Sequence, residues 1–124
     1  MELKNLFNLN GKTALVTGGS QGIGKAISLA LAEFGDNLII NFRSGKELAE
    51  ETCREVTNRG VNCHLIASDL SNVGAPKIIS EYVSKNKLEV DILVLNASVQ
   101  FRKSWDQVTP EEFETQINTK LRAS

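Results

Sequence analysis

Residues 13–24 read TALVTGGSQGIG, in which a short apolar run leads directly into glycines at positions 18, 19, 22 and 24. An apolar run beside glycine is typical of a buried strand, and the amphipathic residues after it are typical of a helix. A strand, a glycine turn and a helix in succession gather backbone N–H groups and a helix N-terminus at one point, which favours a phosphate or pyrophosphate. Glycines suit this point because side chains would block the close approach. Their spacing, Gly18-x-x-x-Gly22-x-Gly24, is not the commoner Gly-x-Gly-x-x-Gly.

Three more apolar runs follow, at residues 38–42, 63–67 and 92–95. Continuous apolar runs of this length predict strands that are buried on both faces, as in a parallel sheet. Stretches with helical periodicity separate them. The first of these has its apolar residues at Ile23, Ile27, Ala30, Leu31 and Phe34. The alternation predicts one α/β domain over residues 1–124, a Rossmann-like parallel sheet of about four strands with helices on both faces.

Two helix starts are also readable in the sequence. Ser44 with Glu47 predicts a capping box before the second helix, and Thr109 with Glu112, around Pro110, predicts another before the fourth. The segment 97–108 is long for a connection between a strand and a helix, which makes it a candidate functional loop.

Composition narrows the class of protein. The chain has 124 residues, and 14 basic against 15 acidic side chains give a net charge of −1. This balance argues against a surface that binds nucleic acid or an anionic membrane. No apolar run is long enough to span a bilayer. The spacing of Cys53 and Cys63 fits neither a metal nor a redox motif, and no secretory leader is recognisable, so we expect reduced thiols in a cytoplasmic protein.

A P-loop is the nearest competing interpretation of the glycine turn. Residues 19–25, GSQGIGK, satisfy the first seven positions of that motif. The next residue is Ala26, where a serine or threonine hydroxyl should hold Mg²⁺, and no clear acidic partner follows a strand. A P-loop nucleotide-binding protein therefore remains a remote alternative.

Taken together, the motifs resemble those of the short-chain dehydrogenase/reductase family. They are TGxxxGxG at residues 17–24, Asp69-Leu70 after the third strand, and DILVLNA at residues 91–97 on the fourth, preceded by LNGKT at residues 9–13. The resemblance covers almost the whole chain, in the family's order. It implies a sheet with strand order 3-2-1-4 that binds NAD(P) and supports hydride transfer between nicotinamide and a carbonyl or alcohol.

The same resemblance implies a set of cofactor-binding residues. Around the pyrophosphate it places Gly18, Ser20, Gln21, Gly22, Ile23 and Gly24. Asp69 and Leu70 would lie along the adenine, and Asn96 and Ala97 would line the ribose. Two alternatives remain open: Asp69 could instead cap a helix, and Asn96 could instead make a hydrogen bond that stabilises the sheet.

The end of the second strand bears on the choice of cofactor. An NAD-specific site typically has an acidic residue about twenty residues after the glycine turn, which binds the ribose 2′-hydroxyl. Here the sequence is Asn41-Phe42-Arg43-Ser44, so the acidic position is apolar and an arginine follows. A guanidinium suits a 2′-phosphate, so we predict NADP(H) over NAD(H). Gln21 argues the other way, because many NADP-using relatives carry a basic residue there, and Arg43 could instead be a solvated surface charge.

The sequence also departs from the family. Ser98 replaces a glycine near the expected cofactor, and Lys120 occupies the position of an active-site asparagine. Asn118 is two residues too early to replace that asparagine, since two helical residues turn roughly 200°. The family's general acid is a tyrosine followed four residues later by lysine, with a serine upstream, but Tyr82 is followed by Asn86. We therefore predict no catalytic residue and no metal site in this chain, and structural roles for Tyr82 and His64.

The interpretation that follows is the N-terminal, cofactor-binding half of such an oxidoreductase, inactive alone. A parent about twice as long would act on a small carbonyl or alcohol and would form a homo-oligomer, as the family does. The half-fold should expose one face of the fourth strand and of the fourth helix. Two other interpretations stay open: a non-enzymatic dinucleotide-binding or regulatory module, and a decayed remnant without function.

Overall fold

The computed structural model describes residues 3–98 and 103–123, which form a single parallel sheet with flanking helices. Its strands are β1 (Thr13–Thr17), β2 (Asn37–Phe42), β3 (Cys63–Ala67) and β4 (Ile92–Val94). They lie in the order β3-β2-β1-β4, and all three neighbouring pairs are parallel. The predicted Rossmann-like class and the strand order 3-2-1-4 are confirmed.

A short helix that the sequence did not predict, α1 (Leu3–Leu6), precedes β1. The other helices follow the strands in the predicted alternation and are α2 (Gly22–Glu33), α3 (Lys46–Thr57), α4 (Ala75–Lys85) and α5 (Pro110–Ile117). A π-helical segment, Asn118–Arg122, continues α5, and a 3₁₀ turn at Trp105–Gln107 precedes it. That turn interrupts the predicted loop 97–108, of which residues 99–102 lie outside the described residues. Within the described ranges, no helix is long and apolar enough to cross a membrane.

The core lies on both faces of the sheet, because successive side chains of a strand point to opposite sides. One cluster packs beneath α2 and α3 and contains Ala14, Val16, Ala32, Leu38, Ile40 and Val56. The other packs beneath α4 and contains Leu15, Ile39, Ile66, Leu70, Ala75 and Ile79. Helices on both faces are therefore confirmed.

The buried face of α2 differs from the prediction. Ile23 and Phe34, which the helical spacing assigns to the core, are exposed. The buried residues are Gly24, Ser28 and Ala32, one per turn on a single stripe. Small side chains on this stripe let the helix axis approach the sheet closely, and the larger side chains lie to either side. Ile27 and Leu31 do pack against the core, as the helical spacing predicts. Hydrophobic periodicity misses the fully buried stripe because it gives no weight to small and polar residues.

One of the two predicted capping boxes forms. The Thr109 hydroxyl accepts the Glu112 N–H at 3.1 Å, and the Glu112 carboxylate accepts the Thr109 N–H at 3.2 Å. The box predicted at Ser44 is wrong: α3 begins at Lys46, after Gly45 in a left-handed conformation with φ of +78°, and no side chain caps it. Gly45 turns the chain just before the helix, which leaves Ser44 one residue too far back.

The outer side of β4 is less covered than the other strands. Leu93 and Leu95 are each more than half exposed, as are Phe113 within α5 and Leu121 in the π-helical segment that follows it. The prediction that the fourth strand and fourth helical stretch expose apolar side chains is confirmed. Exposed apolar groups of this kind are typical of a surface that another polypeptide covers.

Candidate functional site

The turn between β1 and α2 requires glycine at specific points. Gly18 and Gly22 have φ angles of +62° and +56°, a region that side chains disfavour. Gly24 has an ordinary backbone conformation, but a Cβ added there would lie 2.0 Å from the Gly18 carbonyl oxygen. It would also lie 2.6 Å from Nδ2 of Asn96 on the neighbouring strand end. The turn thus passes close beneath the helix start, with no room for a methyl group at position 24.

The N-terminus of α2 is open to a ligand. The helix begins at Gly22, and its N-cap residue, Gln21, is extended and makes no side-chain capping bond. The first N–H groups of a helix have no partner within the helix, and the helix dipole makes this end positive. An anion placed here would receive hydrogen bonds from the backbone of residues 22–24.

Two hydroxyls from the helices fix the carbonyl groups of the turn. The Ser28 hydroxyl donates to the Gly19 oxygen at 3.1 Å and is 2.9 Å from the Gly24 oxygen. The Thr52 hydroxyl on α3 donates to the Ser20 oxygen at 2.8 Å. Both hydroxyls belong to fully buried residues, so the turn is held in one conformation before any ligand binds.

A cavity of about 310 Å³ opens beside this turn, at the carboxyl ends of the strands. This is the edge at which parallel α/β sheets bind ligands. All but one of the predicted cofactor-binding residues line this cavity, and the exception is Gly22. Those that line it are Gly18, Ser20, Gln21, Ile23, Gly24, Arg43, Asp69, Leu70, Asn96 and Ala97. The fold therefore brings the sequence-predicted set to one place.

Asn96 serves the sheet as well as the cavity. Its Nδ2 donates to the carbonyl oxygens of Thr17 and Gly18, each at 3.2 Å. The Thr17 hydroxyl in turn accepts the N–H groups of Asn96 and Ala97, each at 3.0 Å. The alternative interpretation of Asn96 is thus correct for its side-chain amide, which makes hydrogen bonds that stabilise the sheet. Asn96 nevertheless forms part of the cavity wall.

Asp69 closes a turn and does not cap a helix. Its Oδ1 accepts the Ser71 N–H at 2.9 Å and the Ser71 hydroxyl at 2.7 Å, whereas α4 begins only at Ala75. The helix-cap alternative is therefore wrong. Burial raises the pKa of Asp69, but the two bonds from Ser71 and the charge of Arg43 outweigh it and hold the pKa below its ordinary value. The carboxylate is ionised at neutral pH and can accept hydrogen bonds.

Arg43 lines the cavity immediately after the end of β2. Phe42, at the position where an NAD site wants an acid, is buried, and the exposed Arg43 follows it. Within the described part of the chain, no hydrogen bond or ion pair engages the Arg43 guanidinium. It places a positive charge on the cavity wall, near enough to Asp69 to lower the pKa of that carboxyl.

Asn41 and Ser68 are among the polar residues of the cavity wall that sequence reasoning missed. The Ser68 hydroxyl is buried and lacks a hydrogen-bond partner among the residues that the structure describes. A buried hydroxyl without a partner is costly, so it marks a position where a bound ligand can supply the missing bond. The glycine cradle and this hydroxyl both fit an elongated, phosphate-bearing ligand with polar edges. The sequence signal was available: both are polar residues at the end of an apolar run.

A second, smaller cavity of about 240 Å³ adjoins the first and shares Leu70, Asn96, Ala97, Ser98 and Thr119 with it. Lys120 lies on its wall, as expected for the position where the family has an asparagine. Asn118 lies elsewhere and accepts a hydrogen bond from Arg122 at 2.7 Å. The prediction that Asn118 cannot take the place of residue 120 is confirmed.

Several further predictions concern side chains that do not line the cavity. Lys25, the lysine of the P-loop alternative, pairs with Glu55 at 2.7 Å and does not line the cavity. His64 and Tyr82 pack edge to face between β3 and α4, with Nδ1 of His64 3.2 Å from the Tyr82 hydroxyl. Cys53 and Cys63 are free thiols, as predicted. Among the described residues, no cluster of three or more His, Cys, Asp or Glu could hold a metal ion.

The fold and the turn define a Rossmann-like α/β protein with a glycine cradle at the edge where such sheets bind nucleotides. A model of the short chain dehydrogenase family matches residues 12–124, and the chain belongs to that family. Membership displaces the P-loop interpretation of the glycine turn.

Several curated relatives are similar over nearly the whole chain. General stress protein 39 of Bacillus subtilis is 40% identical over 122 residues, which is 95% of this chain and 42% of that protein. A hydroxynaphthalene reductase-like protein of Metarhizium brunneum is 33% identical over 116 residues, or 94% of this chain and 43% of that protein. The chain thus spans less than half the length of these relatives.

Solved structures agree with the fold. A 3-oxoacyl (acyl-carrier-protein) reductase of Agrobacterium tumefaciens with NADP bound superposes with a TM-score of 0.88 at 34% identity, covering 99% of this chain and 47% of that one. A short chain dehydrogenase of Burkholderia cenocepacia in complex with NADP gives 0.87 at 33% identity, covering 94% of this chain and 47% of that one. Nicotinamide dinucleotides are therefore bound by proteins that share this fold and sequence pattern.

Proposed function

We propose that these 124 residues form the cofactor-binding half of an oxidoreductase that moves a hydride between NADP(H) and a small carbonyl or alcohol. The observation that carries the proposal is the cavity at the strand ends, whose wall contains both the Gly24 cradle and the Arg43 charge. The NADP-bound neighbours support the same cofactor class. When bound, the nicotinamide supplies or accepts the hydride.

The residues of this chain bind and orient the cofactor. The N–H groups at the start of α2 would receive the pyrophosphate, because glycines there let it approach. The ionised Asp69 would accept a hydrogen bond from the adenine amino group, with Leu70 against the ring. Asn96 and Ala97 would lie along the ribose next to the nicotinamide. This arrangement would hold the central pyrophosphate at the start of α2, the adenine nucleotide beside Arg43 and Asp69, and the nicotinamide nucleotide beside Asn96.

We expect this chain alone to bind the dinucleotide without turnover. The tyrosine–lysine pair that the family uses as proton donor has no counterpart in the sequence, and Tyr82 faces His64 away from the cavity. Mixing the chain with NADPH and small aldehydes or ketones should leave the rate of NADPH oxidation at the buffer background. Oxidation that depends on the chain, and is lost in the Lys120→Ala variant, would show instead that these residues hold an acid–base group.

A non-enzymatic dinucleotide-binding module is the second candidate function. The observation that favours it is Lys120 on the wall of the adjoining cavity, where the family has an asparagine. One experiment distinguishes the two candidates, namely fusing this chain to the remaining half of a relative. The fusion should have oxidoreductase activity if the chain is the cofactor-binding half of an enzyme, and none if the chain is a binding module. A chain that folds and binds no nucleotide would leave only the decayed remnant.

Substituting Arg43 by serine should remove the preference for NADPH. A charge-assisted bond to the 2′-phosphate contributes about 1.5–3 kcal/mol, so the dissociation constant for NADPH should rise about 10- to 100-fold. The dissociation constant for NADH, which lacks that phosphate, should change less than about twofold. Titration followed by nicotinamide fluorescence at fixed ionic strength measures both.

Arg54→Ser is the matched control, because Arg54 is also exposed but lies on α3 outside the cavity wall. It removes the same charge and should leave both dissociation constants unchanged. Equal affinity of the unsubstituted chain for NADH and NADPH would overturn the assignment of Arg43.

A further inference from the structure

Asn41 is a buried amide beneath the dinucleotide cavity, 2% exposed and next to last in β2. Its Oδ1 accepts the Gly18 N–H at 3.4 Å. Its Nδ2 donates to the carbonyl oxygens of Ser68 at 3.1 Å and Ile66 at 3.4 Å. One side chain therefore ties the glycine turn after β1 to the end of β3 on the opposite side of β2.

The backbone around Asn41 strengthens this link. The Gly19 N–H donates to the Asn41 carbonyl oxygen at 3.2 Å, and the Ser68 N–H donates to the Phe42 oxygen at 2.9 Å. The two halves of the cavity, the turn and the end of β3, thus meet at the last two residues of β2. A purely apolar residue at position 41 would keep the backbone bonds but lose all those of the amide.

These bonds also decide which groups of the turn face a ligand. The N–H groups of Gly18 and Gly19 point to Asn41, so they are not directed at a phosphate. The N–H groups at the N-terminus of α2 remain open to an anion, and their position depends on how the two glycines are held. Ser28 and Thr52 fix the carbonyl side of the turn, and Asn41 fixes its N–H side.

We propose that Asn41 is a positioning residue that joins the two halves of the cavity and holds the glycine turn ready for the pyrophosphate. The proposal rests on the dinucleotide-binding function proposed above. A site that is ordered beforehand does not have to be ordered on binding, which increases affinity. Loss of the Asn41 amide should therefore weaken ligands that reach the turn without altering the discrimination made by Arg43.

The first test needs no ligand. In Asn41→Leu, the amide hydrogen exchange of Gly18 and Gly19, measured by NMR, should speed up by about tenfold or more relative to the unsubstituted chain. Asn37→Leu is the matched control: Asn37 lies at the other end of the same strand, where its Oδ1 accepts the Asn62 N–H at 2.9 Å. It should leave exchange in the turn unchanged.

The second test measures dissociation constants at a temperature where all variants are folded. Asn41→Leu should raise the dissociation constant of NADPH by about tenfold or more and keep the NADPH-to-NADH ratio within about twofold. Asn37→Leu should lower the melting temperature without changing either constant. Asn41→Ser leaves space for a water to bridge the same groups, so it should bind NADPH with intermediate affinity. This variant replaces Asn41→Leu in the test if Asn41→Leu does not fold.

The outcomes separate the two proposals. If the unsubstituted chain binds neither dinucleotide, the proposed function fails, and the exchange experiment still judges whether Asn41 orders the turn. If the chain binds NADPH, but Asn41→Leu and Asn41→Ser alter only the melting temperature, Asn41 is merely structural and the inference is overturned. Unchanged exchange at Gly18 and Gly19 would overturn it as well.

Discussion

Replacing Gly24 by alanine should abolish dinucleotide binding and lower the free energy of unfolding by about 3 kcal/mol or more. The added Cβ would lie 2.0 Å from the Gly18 carbonyl oxygen, a backbone atom that cannot rotate away. Relief requires α2 to move away from the turn. Such a movement would separate the helix N-terminus from the strand end and break the bond from the Ser28 hydroxyl. Binding and stability should fall together, as measured by NADPH titration and urea unfolding.

Two other glycines provide matched controls. Gly74→Ala adds the same methyl group at the start of α4, with φ of −80° and no atom within 4 Å, so stability and binding should stay nearly unchanged. Gly22→Ala adds it in open space but at φ of +56°, so it should cost about 1 kcal/mol of backbone strain. NADPH affinity of Gly24→Ala within threefold of the unsubstituted value would show that the helix does not need this close approach.

The sheet was predictable because its signals are local and agree with one another. Each strand is a compact apolar run, and the glycine turn after β1 combines with helical periodicity to specify the order of elements. The sequence-based predictions failed where the local sequence allowed two structures and tertiary packing determined which of them formed. Ile23 satisfies the helical repeat, yet Gly24 and Ser28 take the buried side because only small residues fit between α2 and the turn. Ser44 has the right spacing for a cap, but Gly45 redirects the chain first.

The cavity was predictable only where motif residues mark it. Gly18, Asp69 and Asn96 stand out in the sequence because they match a family pattern. Asn41 and Ser68 match none and so were missed, although an asparagine inside the apolar run of β2 must find buried partners. The sequence shows that such partners exist but not which they are. Their identity depends on the register of β2 between β1 and β3, which no local pattern specifies.

Asp36 should make this fold more stable in mild acid than at neutral pH. It directly precedes β2, is fully buried, and neither carboxylate oxygen has a hydrogen-bond partner among the described residues. Burial, together with the smaller effect of the charge on Asp91, which precedes β4, raises the pKa of Asp36 from 3.8 to about 6. The folded state therefore binds a proton that the unfolded state releases. The resulting stability is complete below about pH 4 and is lost as the pH rises through about 6.

Asp36→Asn, which is neutral at every pH, should accordingly be the more stable protein at pH 7.5, by about 3 kcal/mol. The two unfolding free energies should converge as the pH falls from 7 towards 4. Asp106→Asn, an exposed site in the 3₁₀ turn, is the control and should follow the unsubstituted chain at every pH. Parallel pH profiles for Asp36→Asn and the unsubstituted chain would contradict the prediction.

Asp36 lies at the amino end of β2, and the dinucleotide cavity lies at the carboxyl end of the same strand. The Asp36→Asn substitution should therefore raise stability without changing the dissociation constant of NADPH, whereas Asn41→Leu should change that constant. Two asparagine-sized side chains, five positions apart in the chain, would then affect separate properties of one strand. This separation follows from the parallel sheet, because the carboxyl end of every strand lies at the ligand-binding edge and the amino end lies at the opposite edge.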